Sequence, residues 1–285
     1  MKAKAPSRRH ARKIKRRSHR RHNYTRRNHF LLQIAPIKGG APTSGTCDLV
    51  VARYKESLQW LNNYKDRNFH AVYIYNKSDK PVECPLAKCH IKSIPNTGVC
   101  DHTYLYHIVH HYDSLADVTI FAAGSADSPH KREMLDSTIT MAMNTRDTVL
   151  NTYEFDVSAK DAMYKFEMLN YRVNAKDNHE GDTKFDHEPA TIRPFGKWYE
   201  AHFPGVDIKQ ASFFGIFAAS RRHIHQKPKS FYKHLLNQVN TQKFHEASHY
   251  IERAWPAIIG APKECMHYPT IFNKTIPSYH TQFRR

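Results

Sequence analysis

The sequence lacks any long apolar run, and its first 47 residues contain no carboxylate side chain. Its longest apolar stretches, such as residues 213–219, fall far short of the roughly 20 residues that span a bilayer, so no membrane span is expected. Residues 1–47 hold 14 lysines or arginines, which leaves 30 of the 44 basic residues against all 26 acidic ones. The high net charge therefore belongs to the amino-terminal segment.

The sequence has only five cysteines, and no secretory signal sequence precedes them. An odd number of cysteines without such a signal suits a reducing compartment better than a disulfide framework. We therefore expect free thiols in an intracellular, non-secreted protein, with cytoplasm, nucleus and virion left open. The cysteines are Cys47, Cys84, Cys89, Cys100 and Cys265.

Residues 1–46 are rich in arginine, lysine, histidine and serine and end in a stretch with glycine and proline. This composition cannot offset the entropy lost on folding, which predicts a disordered basic tail and linker. An arginine-rich segment without acidic residues binds nucleic acid through its phosphates, without sequence preference. Non-specific nucleic-acid binding, nuclear localisation and an organelle transit peptide are alternative roles for it.

Apolar runs at residues 48–54, 69–75 and 118–122 have the length and composition of buried strands. Between them, residues 55–61 and a segment from Thr103 onward show apolar side chains at helical spacing, with Asp101 as a candidate N-cap. Strands that alternate with helices indicate an α/β fold with a mainly parallel sheet flanked by helices.

We place this α/β domain at residues 47–262 and expect an irregular carboxy-terminal tail at 263–285. Residues 125–194 show poor periodicity, and only a helix around 158–170 is predicted there. Parallel sheets bind ligands at the carboxyl ends of their strands. The loops of interest are therefore 53–56, 76–80 and 123–130.

Four segments, at residues 49–61, 94–108, 214–221 and 250–256, resemble a family of uncharacterised glycosyltransferase-like proteins from fungi, bacteria and large DNA viruses. The resemblance implies a sheet like that of nucleotide-sugar transferases. It also implies transfer of a sugar from a nucleotide-sugar donor to a hydroxyl acceptor on a glycan or protein. The alternative is a catalytically silent member that acts as a basic-tailed nucleic-acid-associated or virion structural protein.

The resemblance also suggests site residues. Arg53, after the first strand, could clamp a pyrophosphate through paired charge-assisted bonds, and Glu252 is the candidate catalytic base for the acceptor hydroxyl. The alternative for Arg53 is an ordinary surface arginine at a strand end. The alternative for Glu252 is an ion pair with a neighbouring helical arginine or lysine. The predicted substrate- or nucleotide-binding residues are Arg53, Tyr54, Glu56, Asn96, Gly98, His102, Asp127 and Arg221.

The sequence leaves the cofactor unknown. Metal-dependent transferases of this architecture hold a divalent cation with two carboxylates after a central strand. Here the strand at 118–122 is followed by Asp127 alone, so the sequence has no clear carboxylate pair. The alternatives are metal independence or a cation held elsewhere, for example by Asp186-His187-Glu188.

Two competing motifs concern zinc. His245-Glu-Ala-Ser-His249 matches the zinc metalloprotease pattern, but no third ligand is evident and an accidental match is favoured.

The second motif is a group of cysteines and histidines with irregular spacing, for which free thiols are favoured over a small zinc site. Trp198 and Trp255 could stack on a sugar ring, but a core position is favoured for each. The cysteines and histidines concerned are Cys84, Cys89, His90, Cys100 and His102.

Overall fold

The computed structural model describes residues 45–168, 188–241 and 245–269. The basic tail, and Asp186 and His187, lie outside these ranges. The strands of the described chain are β1 (Cys47–Arg53), β2 (Ala71–Asn76), β3 (Cys89–Ser93), β4 (Val118–Ala123), β5 (Val149–Glu154), β6 (Gln210–Ser220) and β7 (Met266–His267). The α-helices are α1 (Val99–His111), α2 (Pro129–Thr145), α3 (Val157–Tyr164), α4 (Phe195–His202), α5 (Arg221–Ile224), α6 (Lys229–Asn237) and α7 (Glu246–Ile259).

The seven strands form one sheet in the order β3-β2-β1-β4-β6-β5-β7. Neighbouring strands from β3 to β4 are parallel. Strand β6 runs antiparallel to both β4 and β5, and β7 is parallel to β5. The predicted α/β fold with a mainly parallel sheet and flanking helices is confirmed.

Helices cover both faces of the sheet because the central strands are apolar on both faces. On β1, Val50 packs into a core with Trp255 of α7, whereas Leu49 packs into a second core with Leu135 of α2. Each of these side chains is fully buried, and burying a leucine or valine contributes about 1.5–3 kcal/mol. The structure therefore places Trp255 in the core, and Trp198 is likewise buried.

The predicted segmentation differs from the structure in several places. Residues 55–61 do not form an α-helix; a 3₁₀ helix spans Gln59–Tyr64 instead. Helix α1 begins at Val99 with Gly98 as its N-cap, so Asp101 lies inside the first turn. Strand β7 pairs with β5 through Leu150 and Met266, beyond the predicted domain end at residue 262.

The expectation of free thiols is wrong for two of the five cysteines. Cys84 and Cys89 form a disulfide across a short loop, because four intervening residues allow the chain to turn back before β3. Cys47, Cys100 and Cys265 are free. The disulfide also rules out the mixed zinc site, since its first two thiolates are used.

Within the described ranges, no helix is long and apolar enough to cross a membrane.

Candidate functional site

A cavity of about 460 Å³ opens beyond the ends of β1 and β4. Its wall combines the turns that follow these two strands with the start of α1, part of β6 and part of α7. The charged and amide side chains in this wall are Arg53, Glu56, Lys77, Asn96, Lys131 and Glu252.

The position of the cavity follows from the strand order. The chain runs outward from β1 to β2 and β3, then returns and places β4 on the other side of β1. Chain connections therefore diverge beyond Ala52 and Ala123, which pair across β1 and β4 and line the cavity. Open α/β sheets bind ligands at such a switch point. Each of the predicted loops, 53–56, 76–80 and 123–130, contributes at least one residue to the cavity wall.

The start of α1 forms one wall of the cavity in a strained backbone conformation. Gly98 and Val99 have φ values of 51° and 43°, and the left-handed region is rare for a β-branched residue. Val99 and Cys100 line the cavity, and the first N–H groups of a helix lack intrahelical acceptors. This end of α1 therefore offers a positive dipole to an anion.

Lys77 is a buried ammonium group in the cavity wall, only 7% exposed. Its Nζ donates to the carbonyl oxygen of Thr97 at 2.6 Å and to that of Val99. Burial lowers the pKa of Lys77 to about 8, although the nearby Cys100 and Asp101 act in the opposite direction. A lysine pressed against the first turn of α1 adds positive charge where the helix dipole is already positive.

Arg53 holds loops together at the edge of the cavity. Its Nη1 donates to Asn76 Oδ1 at 2.8 Å and to the carbonyl oxygen of Lys80 at 2.9 Å, and its Nε donates to the carbonyl oxygen of Glu56 at 3.1 Å. These bonds occupy most of the guanidinium fork that the sequence interpretation assigned to a pyrophosphate. Lys131, whose Nζ donates to Ser125 Oγ at 3.0 Å, is a less constrained cation in the same wall.

Glu56 shapes the turn after β1. Its Oε2 accepts bonds from the backbone N–H groups of Tyr54, at 2.7 Å, and Lys55, at 3.0 Å. A Cβ at Gly124 would lie only 2.8 Å from this oxygen, so a larger residue there would displace the Glu56 carboxylate from its bonds to Tyr54 and Lys55.

Glu252 reaches the cavity from α7 and contacts an irregular part of β6. Its Oε1 accepts a 2.9 Å hydrogen bond from the backbone N–H of Phe214. Phe214 has a φ of 70° and the next residue, Gly215, a φ of 60°. A left-handed phenylalanine costs energy, and the bond to Glu252 stabilises this bend at the site.

Asp101 lies behind Glu252 and is fully buried. Its Oδ1 accepts a 2.8 Å hydrogen bond from Trp255 Nε1. Burial, followed by the charge of Glu252, raises the pKa of Asp101 well above its ordinary value. A buried carboxyl group that retains its proton near a second, cavity-lining carboxylate is typical of an acid–base site.

The raised pKa predicts how Asp101→Asn changes stability with pH. Because the folded protein keeps this proton at a pH where the unfolded chain loses it, folding stability falls as pH rises above about 4. Asparagine does not titrate, and its oxygen can still accept from Trp255. Urea unfolding is therefore expected to favour the variant increasingly from pH 5 to pH 8, by at most about 1.4 kcal/mol per pH unit.

The matched control is Asp66→Asn, which removes a carboxylate that is exposed. A constant stability difference between Asp101→Asn and the wild type across this range would contradict the raised pKa.

Gly98 is required for both its conformation and its lack of a side chain. A Cβ there would lie 2.4 Å from the carbonyl oxygen of Val239. We expect Gly98→Ala to destabilise the protein by about 1–3 kcal/mol more than Gly205→Ala. Gly205 also has a positive φ, but its Cβ would meet no atom within 4 Å, so it measures the conformational cost alone. Equal losses in denaturant unfolding would rule out the contact with Val239.

The structure brings together five of the nine predicted site residues. Arg53, Tyr54, Glu56, Asn96 and Glu252 all line the cavity.

The other four lie elsewhere. Gly98 supports the wall from behind, and Asp127 is exposed in the turn before α2. His102 is buried against Asn240, with Nε2 and Oδ1 3.1 Å apart, and burial lowers its pKa to about 4. Arg221 pairs with Asp117, which precedes β4, so it lies at the opposite edge of the sheet.

Sequence reasoning missed Lys77, Lys131 and Asp101 as site residues. Lys77 lies in a loop that the strand order had singled out, but lysine after a strand is usually an exposed residue. Lys131 lies in the first turn of α2 and Asp101 in the first turn of α1. These two turns come together only because of the spatial order of the strands, which the sequence does not show.

A divalent cation fits this cavity poorly. Oε2 of Glu56 accepts two backbone N–H bonds, and Oε2 of Glu252 already pairs with Arg253 at 3.4 Å. Lys77 and Lys131 add two further cations to the same wall. Of the alternative ligand set, only Glu188 is described, and its Oε2 accepts from Thr241 Oγ1 at 3.0 Å.

The protease motif also has a structural role. Glu246 is fully buried and accepts bonds from the backbone N–H groups of Met168, at 2.7 Å, and Ala190, at 2.9 Å. A carboxylate held in this way is not placed to activate a metal-bound water.

The fold and the cavity define an α/β protein with a polar cavity at the switch point of its sheet. The chain belongs to the family described as protein of unknown function DUF3431, which matches residues 49–272. The four segments noted in the sequence all lie within this match. A comparison with curated protein sequences finds no match.

Proposed function

We propose that this protein transfers a sugar from a nucleotide-sugar donor to a hydroxyl group of a glycan or protein. The observation that carries the proposal is the meeting of Lys77, Lys131 and Glu252 in one cavity at the switch point. Such a transfer needs cations beside the leaving diphosphate and a carboxylate base beside the acceptor hydroxyl, on the other side of the reacting carbon.

The diphosphate of the donor would bind between the two lysines and the start of α1. There, Lys77 lines the cavity together with Val99 and Cys100, the first two residues of α1. These groups stabilise the negative charge that grows on the diphosphate as it leaves, without a metal ion. Lys77 would supply a cation to this site from the loop after β2.

Glu252 would act as the general base. The acceptor oxygen forms a bond to the anomeric carbon while the bond from that carbon to the diphosphate oxygen breaks. The hydroxyl proton passes to Glu252, and the electron pair of the broken bond leaves on the nucleoside diphosphate. The bond from Phe214 uses Oε1, so the proton would go to Oε2. This oxygen also pairs with Nη1 of the neighbouring Arg253 at 3.4 Å, which is the helical ion pair that the sequence analysis named as the alternative.

The proposal is tested with the full-length protein and a panel of nucleoside diphosphate sugars. Calorimetry measures donor binding, and chromatography measures release of the nucleoside diphosphate with and without acceptors. Saturable binding of at least one donor, with product release, is expected. No binding of any donor at millimolar concentration would overturn the proposal.

A further inference from the structure

Three metal-ligand side chains meet at the edge of the sheet opposite the cavity. Asp147 precedes β5, His223 lies in α5, and Cys265 ends the 3₁₀ helix Lys263–Cys265 before β7. One donor atom from each side chain lies within 4.8 Å of the other two.

Two of the three side chains are buried, Asp147 is partly exposed, and neighbouring residues hold the cluster in place. His223 is 4% exposed and Cys265 is 9% exposed. The Nδ1 of His223 lies 2.7 Å from Thr148 Oγ1 and 3.0 Å from Ser220 Oγ. These contacts fix the orientation of the imidazole ring.

Asp147 presents one oxygen to the histidine. Its Oδ2 pairs with Arg222, while Oδ1 lies 3.5 Å from Nδ1 of His223. Oδ1 also accepts from the backbone N–H of Thr148 at 2.7 Å, and a carboxylate oxygen has a second lone pair for a cation. The carboxylate is thus fixed on one side and directed at the cluster on the other.

We propose that Asp147, His223 and Cys265 bind one zinc ion. Sulfur, nitrogen and oxygen donors together suit zinc, whereas calcium and magnesium take oxygen ligands. Tetrahedral zinc at about 2.0–2.3 Å from its ligands sets them roughly 3.3–3.8 Å apart. Since the donor atoms lie within 4.8 Å of one another, the side chains need to approach by at most about 1.5 Å, and water takes the fourth position.

The metal-free protonation states agree with this chemistry. Burial lowers the pKa of His223, so its imidazole is neutral and can donate a lone pair. Burial, aided by the charge of Asp147, raises the pKa of Cys265 to about 11. Zinc binding therefore replaces the thiol proton, which is released to solvent.

The site would join three chain segments that are distant in sequence. Val149 pairs with Ala218 where β5 begins and β6 ends, so the cluster is at the amino edge of β5. Zinc there would fix the segment around β7 to the sheet and raise stability with ligand concentration. It would take no direct part in transfer at the opposite edge.

Cobalt titration of the full-length protein, freed of metal by a chelator, tests the proposal. Cobalt bound to a thiolate gives a charge-transfer absorption band, which histidines elsewhere in this histidine-rich chain cannot produce. We expect this band at one cobalt per chain and its loss in Cys265→Ser. It should persist in Cys47→Ser, in Cys100→Ser and in the double variant Cys84→Ser/Cys89→Ser.

His223→Gln provides a second test if Cys265→Ser does not fold. It is expected to weaken cobalt binding by at least tenfold and to abolish the rise in Tm that zinc gives the wild type. Absence of the thiolate band in the wild type, or its survival in folded Cys265→Ser, would overturn the proposal. So would unchanged cobalt affinity in folded His223→Gln.

Discussion

Glu252→Gln is expected to lower the rate of sugar transfer at least about a hundredfold, because general-base catalysis contributes roughly 10²–10⁴ in rate. Glutamine keeps an oxygen that can accept the 2.9 Å bond from the N–H of Phe214, so the bend in β6 is preserved. It cannot take a proton from the acceptor. Single-turnover measurements of transfer, with donor binding measured separately, check this prediction.

The variant should separate catalysis from binding. Donor affinity is expected to change less than about threefold, since the base contacts the acceptor and its loss affects only the transition state. The exposed Glu200 on α4 gives a matched control, Glu200→Gln, which should transfer at the wild-type rate. Wild-type transfer by Glu252→Gln would show that another group accepts the proton.

The sequence predicted the centre of the sheet because its signals there are local. The runs that became β1, β2 and β4 are largely apolar, since both faces of those strands are buried. Their order along the chain placed the three ligand loops at one edge. These three loops could therefore be predicted without knowledge of any contact between residues distant in sequence.

The remainder depends on tertiary contacts that leave little trace in a short window. Strand β6 pairs antiparallel with β4 and β5, a direction that its apolar residues do not encode. Helix α2 has weak amphipathic character because its first turn carries His130, Lys131 and Arg132 in succession, which spreads polar side chains around the helix. Residues 125–194 were therefore hardly assigned, and Lys131 was not recognised.

The dependence on tertiary contacts also explains why the sequence did not reveal the buried, protonated state of Asp101. Asp101 reads as an N-cap because aspartate is common there, yet Gly98 and Val99 start the helix earlier. Its carboxyl group then becomes buried beside Trp255 and Glu252. Burial created by the packing of α7 on α1 sets this pKa, and no local pattern contains it.

Lys77→Met is expected to weaken donor binding by roughly 10- to 100-fold, because a hydrogen bond to a charged group contributes about 1.5–3 kcal/mol. Methionine fills a similar volume without the charge. The variant should fold with little change in Tm at pH 7, since removing a buried cation offsets the lost bonds to the carbonyl oxygens of Thr97 and Val99. Calorimetry with the donor identified in the panel measures the affinity.

The exposed Lys197 gives the matched control, Lys197→Met, which should bind the donor as the wild type does. Unchanged affinity in Lys77→Met would exclude a direct contact between this ammonium group and the diphosphate. A large loss of Tm would instead assign Lys77 a mainly structural role.

The lowered pKa of Lys77 predicts that the contact between this side chain and the donor diphosphate depends on pH. With a folded pKa of about 8, Lys77 loses its proton in the free protein as pH rises above 8. In the complex, the bound diphosphate keeps Lys77 protonated. Donor affinity of the wild type should therefore fall by up to about tenfold per pH unit between pH 8 and 10. Stability of the free protein should rise over that window, because the unfolded chain then binds the proton that the folded chain has lost. Both slopes should disappear in Lys77→Met, and a wild-type affinity independent of pH there would place the charge of Lys77 outside the donor site.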